Sequence, residues 1–430
     1  MLNEFFKLEQ HGTTVRREVT AGVTTFLTMA YIVFVNPAIL SEAGMDSGGV
    51  FVATCLAAAV GTAIMGLWAN YPIAMAPGMG LNAFFTYGVV LGMGYPWQVA
   101  LGAVFVSGVL FVGISVLPVR EWIVNSIPKS LKMGTVAGIG LLLGIIAMQN
   151  AGLVVDNSAT LVGLGDMGQP SVLLAALGFA GIVALDRLRV TGAIVIGILG
   201  VTVIGAALGI SEFNGIVALP PDPGTVMFRL DIGAALDLAL VGVIFAFLFT
   251  DLFDTSGTLI AVAHRAGLLD ENGQLPRLRR ALVADSLATV FGAAAGTSSV
   301  TCYIESAAGV RAGGRTGLTA VVVAGLFLAA LLLSPLAATV PAYATAPALL
   351  FVACLMMSSI TEIDWEDVTE YVPAAALVMT MPFTFSIANG LAVGFISYAA
   401  IKLLSGRFAT VNPAVGVLAA LFVCKFAWLG

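Results

Sequence analysis

Stretches of roughly twenty apolar residues, the length that carries a helix across a bilayer, recur along the whole chain with short polar breaks between them. They fall at about fourteen places: 20–40, 48–68, 72–91, 97–118, 131–149, 171–186, 190–210, 235–262, 281–297, 298–310, 316–338, 345–360, 371–404 and 409–429. The pattern predicts an all-α polytopic membrane protein. The run at 371–404 reads as one broken span or two short ones, with Asn389-Gly390 as the turn. A polar connection at 211–231 divides the chain into halves with similar numbers of runs. The halves also echo each other in Ser126-Ile127-Pro128 and Thr339-Val340-Pro341.

Two runs are unlike the rest. "YPIAMAPGMGLNAFFTYG" in the first half and "GAAAGTSSVTCYIESAAG" in the second are short and dense in Gly, Pro, Ser or Thr. Broken backbone at membrane depth is tolerated where it lines a protein cavity, so paired interruptions in matching halves point to a transport site. The plainer alternative is a pair of kinked structural helices. Carboxylates fall in the same places: Asp251 and Asp254 inside "VGVIFAFLFTDLFDTSGTLIAVAH", and Glu305 beside Ser306. An ionised carboxylate at the bilayer centre costs about 2.5 to 3.5 kcal/mol, so three would cost about 8 to 10 kcal/mol uncompensated. Asp251 and Asp254 are three apart and share a helical face, with Gly257 one turn on, so that face is expected to line a wet cavity. These three acids, with no buried Arg or Lys expected among them, argue against an anionic substrate.

Composition agrees with the pattern: 59% of residues are hydrophobic and only 10% charged, where a soluble domain has about 25% charged. A net charge of −6 offers no basic surface for nucleic acid. Basic residues gather in alternate loops, at Lys7, Arg16 and Arg17, then Arg120, Lys129 and Lys132, then Arg187 and Arg189. Arg265, Arg277, Arg279, Arg280, Arg311 and Arg315 continue the series, while the polar 150–170 loop has no Lys or Arg. The positive-inside rule therefore places the N-terminus in the cytoplasm. "MLNEFFKLEQHGTTVRREV" is amphipathic, unlike a cleavable signal, and is expected along the cytoplasmic membrane face. Gly134/Gly138 and Gly140/Gly144 have the spacing of close helix packing. Cys55, Cys302, Cys354 and Cys424 lack ligand spacing and read as packing residues, with no disulfide framework, metal site or cofactor implied. No nucleotide-binding or zinc-hydrolase motif occurs. Asn36-Pro37-Ala38 and Asn412-Pro413-Ala414 are similar to the half-helix motif of water channels, but the second copy opens the last run, far from a matching loop. "GLGD" at 163–166 matches an intramembrane aspartyl protease motif, yet sits in a polar loop without a Tyr-Asp partner, so no enzyme is expected.

"FTDLFDTSGTL", "GTSSVTCYIESAAGV", "TTFLTMAYIVFVNPAIL" and "APGMGLNAFF" together resemble the AzgA-like branch of the nucleobase-cation symporter-2 family, the bacterial and fungal purine permeases. The resemblance covers nearly the whole chain. It implies fourteen segments in two inverted repeats of seven, with short extended third and tenth segments, and alternating access between a core and a gate domain. In this sequence the core is expected at 20–125 and 235–338, the gate at 126–210 and 339–430, an N-terminal segment at 1–19 and an extracytoplasmic linker at 211–234. The resemblance also implies import of purine nucleobases with protons across a bacterial inner membrane, and leaves a homodimer open. Carried over by position, Asn82 is the polar residue of the third segment, Asp251 and Asp254 the acids of the eighth, and Glu305 that of the tenth. The chemistry fits: a purine is flat, uncharged and ringed with donors and acceptors, so its site needs accepting side chains, an amide and a face to stack on. Asp254, Glu305 and Asn82 supply the polar groups, Phe84, Phe85 or Phe253 the stacking face, Gly80 and Gly78 room for close approach, and Ser306 a further contact. Asp251, Asp254 and Glu305 are the expected carriers of the coupling proton, and His264 is assigned to a loop.

Overall fold

A computed structural model describes residues 2–116, 127–268, 275–407 and 410–428. Arg120, Ser126 and the expected boundary at 125/126 lie outside them. In chain order the first half contains α1 (Leu2–Phe6), α2 (Val15–Met29), α3 (Ile32–Glu42), α4 (Ser47–Ile64), β1 (Met75–Pro77), α5 (Met79–Ala83), α6 (Trp97–Val116), α7 (Lys129–Asn150), β2 (Val154–Asn157), β3 (Leu161–Leu164), α8 (Pro170–Arg187) and α9 (Ala193–Ala207). The second half contains α10 (Ile232–Ala235), α11 (Val241–Ala266), α12 (Leu278–Ala295), β4 (Val300–Cys302), α13 (Ser306–Arg311), α14 (Gly317–Ala330), α15 (Ser334–Thr339), α16 (Ala342–Met357), α17 (Val368–Thr384), α18 (Ile387–Leu404) and α19 (Pro413–Trp428). A π-helical stretch, Phe84–Gly92, continues α5. Among the described residues nine helices are long and apolar enough to cross a membrane, and three shorter apolar helices accompany them. The chain is an all-α polytopic membrane protein with two small two-stranded sheets.

Local chemistry sets the element ends. The Thr14 hydroxyl accepts from Arg17 N at the start of α2, and Asp46 accepts from Gly49 N (2.7 Å) at the start of α4, satisfying amides that a helix start leaves unpaired. α2 thus begins at Val15, within the 1–19 segment. Gly296 closes α12 with φ +98, and a Cβ there would meet Val226 at 2.6 Å, so both dihedral and space require glycine.

Three sequence expectations are corrected here. The 371–404 run is two helices, but the break falls at Phe385 (φ +46) and Ser386, whose hydroxyl accepts from Asn389 N (3.2 Å). Asn389 and Gly390 lie inside α18. A serine cap outcompetes the Asn-Gly pair because it satisfies the first amides of the new helix. The polar 150–170 loop is a β-hairpin, with Val154 opposite Leu164 and Asn157 opposite Leu161. Of the four cysteines, all free, Cys55 and Cys302 are buried while Cys354 and Cys424 are exposed.

Helices sort by their packing neighbours. α2, α4, α6, α12 and α14 pack together, and α7 packs against α16, α17 and α18. A Cβ at Gly61 would meet Ala288 at 2.8 Å, which marks the crossing of α4 and α12. At Gly138 and Gly140 a Cβ would meet Met381 Sδ (2.7 Å) and the Ala353 carbonyl (2.9 Å), so these glycines serve the close packing expected of them.

Candidate functional site

β1 and β4 meet at the centre of the structure. They pair antiparallel, with Met75 opposite Cys302 and Pro77 opposite Val300. Pro72 and Pro77 remove the amides a continuous helix needs, and the β-branched Val300 and Thr301 suit extended backbone. A two-stranded ladder leaves outer backbone groups unpaired, which is untenable in an apolar setting. Threonines on the flanking helices answer this. Thr62 of α4 accepts from Met75 N (2.9 Å) and donates to Met75 O (3.0 Å), and Thr289 of α12 accepts from Val300 N (3.2 Å) and holds its one proton within reach of both Val300 O (3.0 Å) and a carboxylate on α11 (2.9 Å). Tyr303 OH donates to Pro77 O (2.5 Å), and Ser306 Oγ accepts from Ala74 N (3.0 Å). The predicted ligand contact at Ser306 is thus engaged in holding the strands together.

The acids divide into two sets. Asp254 is partly exposed and lies within hydrogen-bonding reach of Thr301 on β4. Glu305, also partly exposed, follows the same strand and accepts from Tyr31 OH (2.6 Å). Ile304 between them in sequence is 43% exposed, and Gly257 one turn beyond Asp254 is exposed too, so this side of α11 faces open space. Asp251 turns the other way. It is 1% exposed and accepts from Thr289 Oγ1 (2.9 Å), so the two aspartates do not share one exposed face. The reason is rotation: three residues advance a helix by about 300°, enough at a crowded crossing to send neighbours to different partners.

Behind Asp251 lies a carboxylate that the sequence reading missed. Asp285 of α12 is fully buried and accepts from Thr255 Oγ1 (2.8 Å) of α11 and from Cys302 Sγ (3.6 Å). The two helices therefore trade bonds, Thr289 to Asp251 and Thr255 to Asp285. Each carries Asp-x-x-x-Thr, in "DLFDT" and "DSLAT", which puts acid and hydroxyl one turn apart on one face. That repeat was the available signal. Asp285 escaped notice because "LRRALVADSLATVFGAAA" has arginines at its start and reads as an ordinary helix end.

The remaining predicted residues are interior. Asn82 is fully buried. Its Oδ1 accepts from Ser298 Oγ, and its Nδ2 has no hydrogen-bond partner among the described residues. A Cβ at Gly80 would stand 2.3 Å from Ile139 Cγ2, so this glycine makes room for α7. Phe84 and Phe85 are fully buried, with Phe84 tilted against Phe247 at 5.0 Å between centroids. Phe253, 8% exposed, ends a row of stacked rings with Phe249 and Phe245. His264, assigned to a loop from the sequence, is instead in the last turn of α11 and exposed.

Two further buried charges correct the sequence reading, which anticipated three buried acids and no buried base. Glu18 of α2 is fully buried and accepts from Arg315 N, Thr316 N and Thr319 N, capping α14 from a neighbouring helix. Lys402 is 4% exposed and pairs with Glu370 Oε1 (2.7 Å), which also accepts from Tyr398 OH (3.1 Å). Both lie outside the strand pair, and Lys402 is neutralised where it stands. Among the described residues no group of three or more His, Cys, Asp or Glu could hold a metal ion. One apolar cavity of about 130 Å³, lined by Ala151, Phe179, Pro347 and Leu350 among others, is remote from the acids.

Comparison with known proteins places this architecture. The model of the Permease family, Xan_ur_permease, matches residues 16–393. The chain is 51% identical over 429 residues to Adenine permease AdeP of Escherichia coli (strain K12), covering 100% of this chain and 96% of that protein. It is 44% identical over 425 residues to Guanine/hypoxanthine permease PbuO of Bacillus subtilis (strain 168), covering 97% of this chain and 98% of that one. Among solved structures, the transmembrane domain of the cyanobacterial bicarbonate transporter BicA aligns with a TM-score of 0.64 at 15% identity, over 88% of this chain and 97% of that one, a likeness of fold alone. Together with the motifs around Asp254 and Glu305, these matches establish that the chain belongs to the Permease family, in the AzgA-like branch of the nucleobase-cation symporter-2 proteins that its sequence resembles.

Proposed function

We propose that the chain is a secondary transporter that imports purine nucleobases together with protons. The observation that carries this is the partly exposed pair Asp254 and Glu305 flanking β4, with no basic side chain paired to either among the described residues, in a chain about half identical to an adenine permease. Carboxylates there accept N–H bonds from an uncharged base and repel anions. Relatives named for adenine and for guanine with hypoxanthine support the purine class. A role in transport rather than catalysis follows from membership of a permease family. Glu305 has an oxygen to spare beyond the bond from Tyr31, Asp254 a place beside Thr301, and Asn82 an amide donor. Phe253 supplies the face that stacks on the ring.

The finer architecture belongs to the same proposal: fourteen segments in two inverted repeats of seven, arranged as core and gate. The matched threonine brackets support it, since Thr62 on the helix before β1 and Thr289 on the helix before β4 hold the first residue of their strands in the same manner. The basic loops support a cytoplasmic N-terminus. Core and gate meet at the linker end, where Gly80 faces Ile139, Gly88 faces the Phe385 carbonyl and Asn150 donates to Glu42 (3.3 Å). At the opposite end of α11, Gly257, Ile260 and His264 are exposed. In this proposal one end is closed at a time, and transport reverses which end that is. In this reading Asp254 and Glu305 carry the coupling proton, taken up on the outer side and released inward, while Asp251, expected from the sequence to share that role, is held by Thr289.

The test is uptake of labelled adenine, guanine, hypoxanthine, xanthine and uracil into cells lacking their own permeases, with and without a proton uncoupler. Purine uptake abolished by the uncoupler supports the proposal. Uptake of uracil alone, or purine uptake indifferent to the uncoupler and dependent on sodium, refutes it.

A further inference from the structure

Asn82 poses a problem that Ser298 resolves. An asparagine amide has an accepting end and a donating end of nearly equal shape, and a site that reads hydrogen-bond patterns must know which one faces the ligand. Ser298 Oγ donates to Asn82 Oδ1, committing the accepting end and leaving Nδ2 as a fully buried donor without a partner among the described residues. A buried donor left unsatisfied is costly, so the arrangement anticipates an acceptor from outside the protein.

Ser298 is itself held on both sides. Asn36 Nδ2 donates to Thr297 Oγ1 (2.9 Å) and to Thr54 Oγ1 (2.7 Å), tying the segment before β4 to α3 and α4. Ser299 O accepts from Gly78 N (2.9 Å), tying it to the turn that opens α5. The same turn adjoins the acids: a Cβ at Gly78 would stand 3.1 Å from Thr301, and Thr301 lies beside Asp254. Asn82 N donates to Gly78 O (2.8 Å), one helical turn from that contact. The Asn-Pro-Ala at 36–38, which resembles a channel motif, thus has a use here as a brace.

We infer that Ser298 is a positioning residue for specificity: it orients the Asn82 amide so that Nδ2 donates to a ring nitrogen or carbonyl oxygen of the bound base. The inference rests on the purine-transport reading and goes beyond it by naming what the third segment demands, an acceptor. Asp254 and Glu305 demand donors. The site therefore selects a base that presents donors on one edge and an acceptor on another, which a purine does.

The experiment uses the purified full-length protein in detergent. Affinity is measured by ligand-induced thermal shift and titration for adenine, hypoxanthine and their 1-, 3- and 7-deaza analogues, each of which replaces one ring acceptor by C–H. In the wild type one analogue binds about ten-fold more weakly than its parent, the loss of one hydrogen bond. In Ser298→Ala the parent base weakens by a similar factor, while that analogue binds as it does to the wild type. Ser298→Cys, of similar size and weaker as a donor, provides the same comparison if the alanine variant does not fold. Equal weakening of the parents and all analogues, or no weakening, overturns the inference and leaves purine transport intact. A wild-type protein that binds none of these bases overturns the transport reading, and the inference with it.

Discussion

At Glu305 a single tyrosine hydroxyl separates a well-held carboxylate from a loose one. Among the described residues Tyr31 OH is the side-chain donor to Glu305, and Tyr31→Phe removes it, so uptake is expected to continue with a KM raised about three- to ten-fold, the loss of one charge-assisted bond to a partly exposed partner. Steady-state uptake kinetics read this directly. The acids themselves are less forgiving. Glu305→Gln and Asp254→Asn keep size but lose the charge that accepts from the base and the site that carries a proton, so both are expected to abolish uptake while the protein still reaches the membrane. Near wild-type transport by either, with surface protein confirmed by immunoblot, removes that residue from the site. Asn82→Ala loses one neutral bond to the ligand and is expected to weaken purine binding by about 0.5 to 1.5 kcal/mol. Its empty melting temperature should fall modestly, because Ser298 Oγ loses its acceptor, and its purine-induced shift should be smaller, because ligand stabilisation follows affinity for the folded state. A variant that melts early when empty and gains the full shift assigns Asn82 to architecture instead.

On the scale of elements, the meeting of α5 with α7 is decided by a missing side chain. A Cβ at Gly80 would lie 2.3 Å from Ile139 Cγ2, well inside contact distance, and core-facing helices yield little to such an insertion. Gly80→Ala is therefore expected to push α7 off α5 and disfavour closure at the linker end. Ile139→Ala removes the clashing methyl group, so the double variant should recover what the single one loses. The readout is labelling by a membrane-impermeant thiol reagent of one cysteine introduced at residue 84, with the four native cysteines replaced. Labelling from the outside should rise in Gly80→Ala and fall back in the double variant. Unchanged labelling in both would show that α5 and α7 do not part during transport. A comparable economy governs the strands, where one threonine on each flanking helix reaches both the amide and the carbonyl of a strand's first residue, Thr289 sharing its one proton between Val300 O and Asp251. Thr62→Val or Thr289→Val leaves those two backbone groups unpaired, a cost of about 1 to 3 kcal/mol for each buried group, and either should lower the melting temperature of the empty protein.

Across the whole molecule the buried charges sort by location. Glu18 caps α14 and Lys402 pairs with Glu370, which keeps helices in place. Asp251 and Asp285 are stitched crosswise by Thr289 and Thr255, behind β4. Asp254 and Glu305 alone among these acids stand at the open side of α11 with part of their surface exposed. A transporter needs this separation, because groups that must change partners during the cycle cannot also hold the scaffold. Collapsing the proton gradient in energised vesicles is accordingly expected to stop purine accumulation and leave slow equilibrative exchange, whereas sodium removal should have no effect. Accumulation that follows sodium would reassign the coupling ion.

Much of this could be read from the chain alone, and the physics says why. A bilayer imposes a length and a polarity on every crossing, so apolar runs, their number to within a few and the class of the protein follow from local sequence. Acids at membrane depth announce themselves by their cost, which is how Asp251, Asp254 and Glu305 stood out. Side-chain direction is a different matter. That Asp251 faces Thr289 while Asp254 faces open space depends on how α11 rotates against α12 and β4, which no local pattern encodes. Asp285 passed unnoticed because its partner lies thirty residues away in sequence and on another helix. That Gly80 stands against Ile139 of α7, and that Ser306 accepts from Ala74 N, are contacts between segments far apart in the chain. Whether a buried polar group serves substrate or scaffold is settled by which partner reaches it first, and that is a property of the tertiary structure.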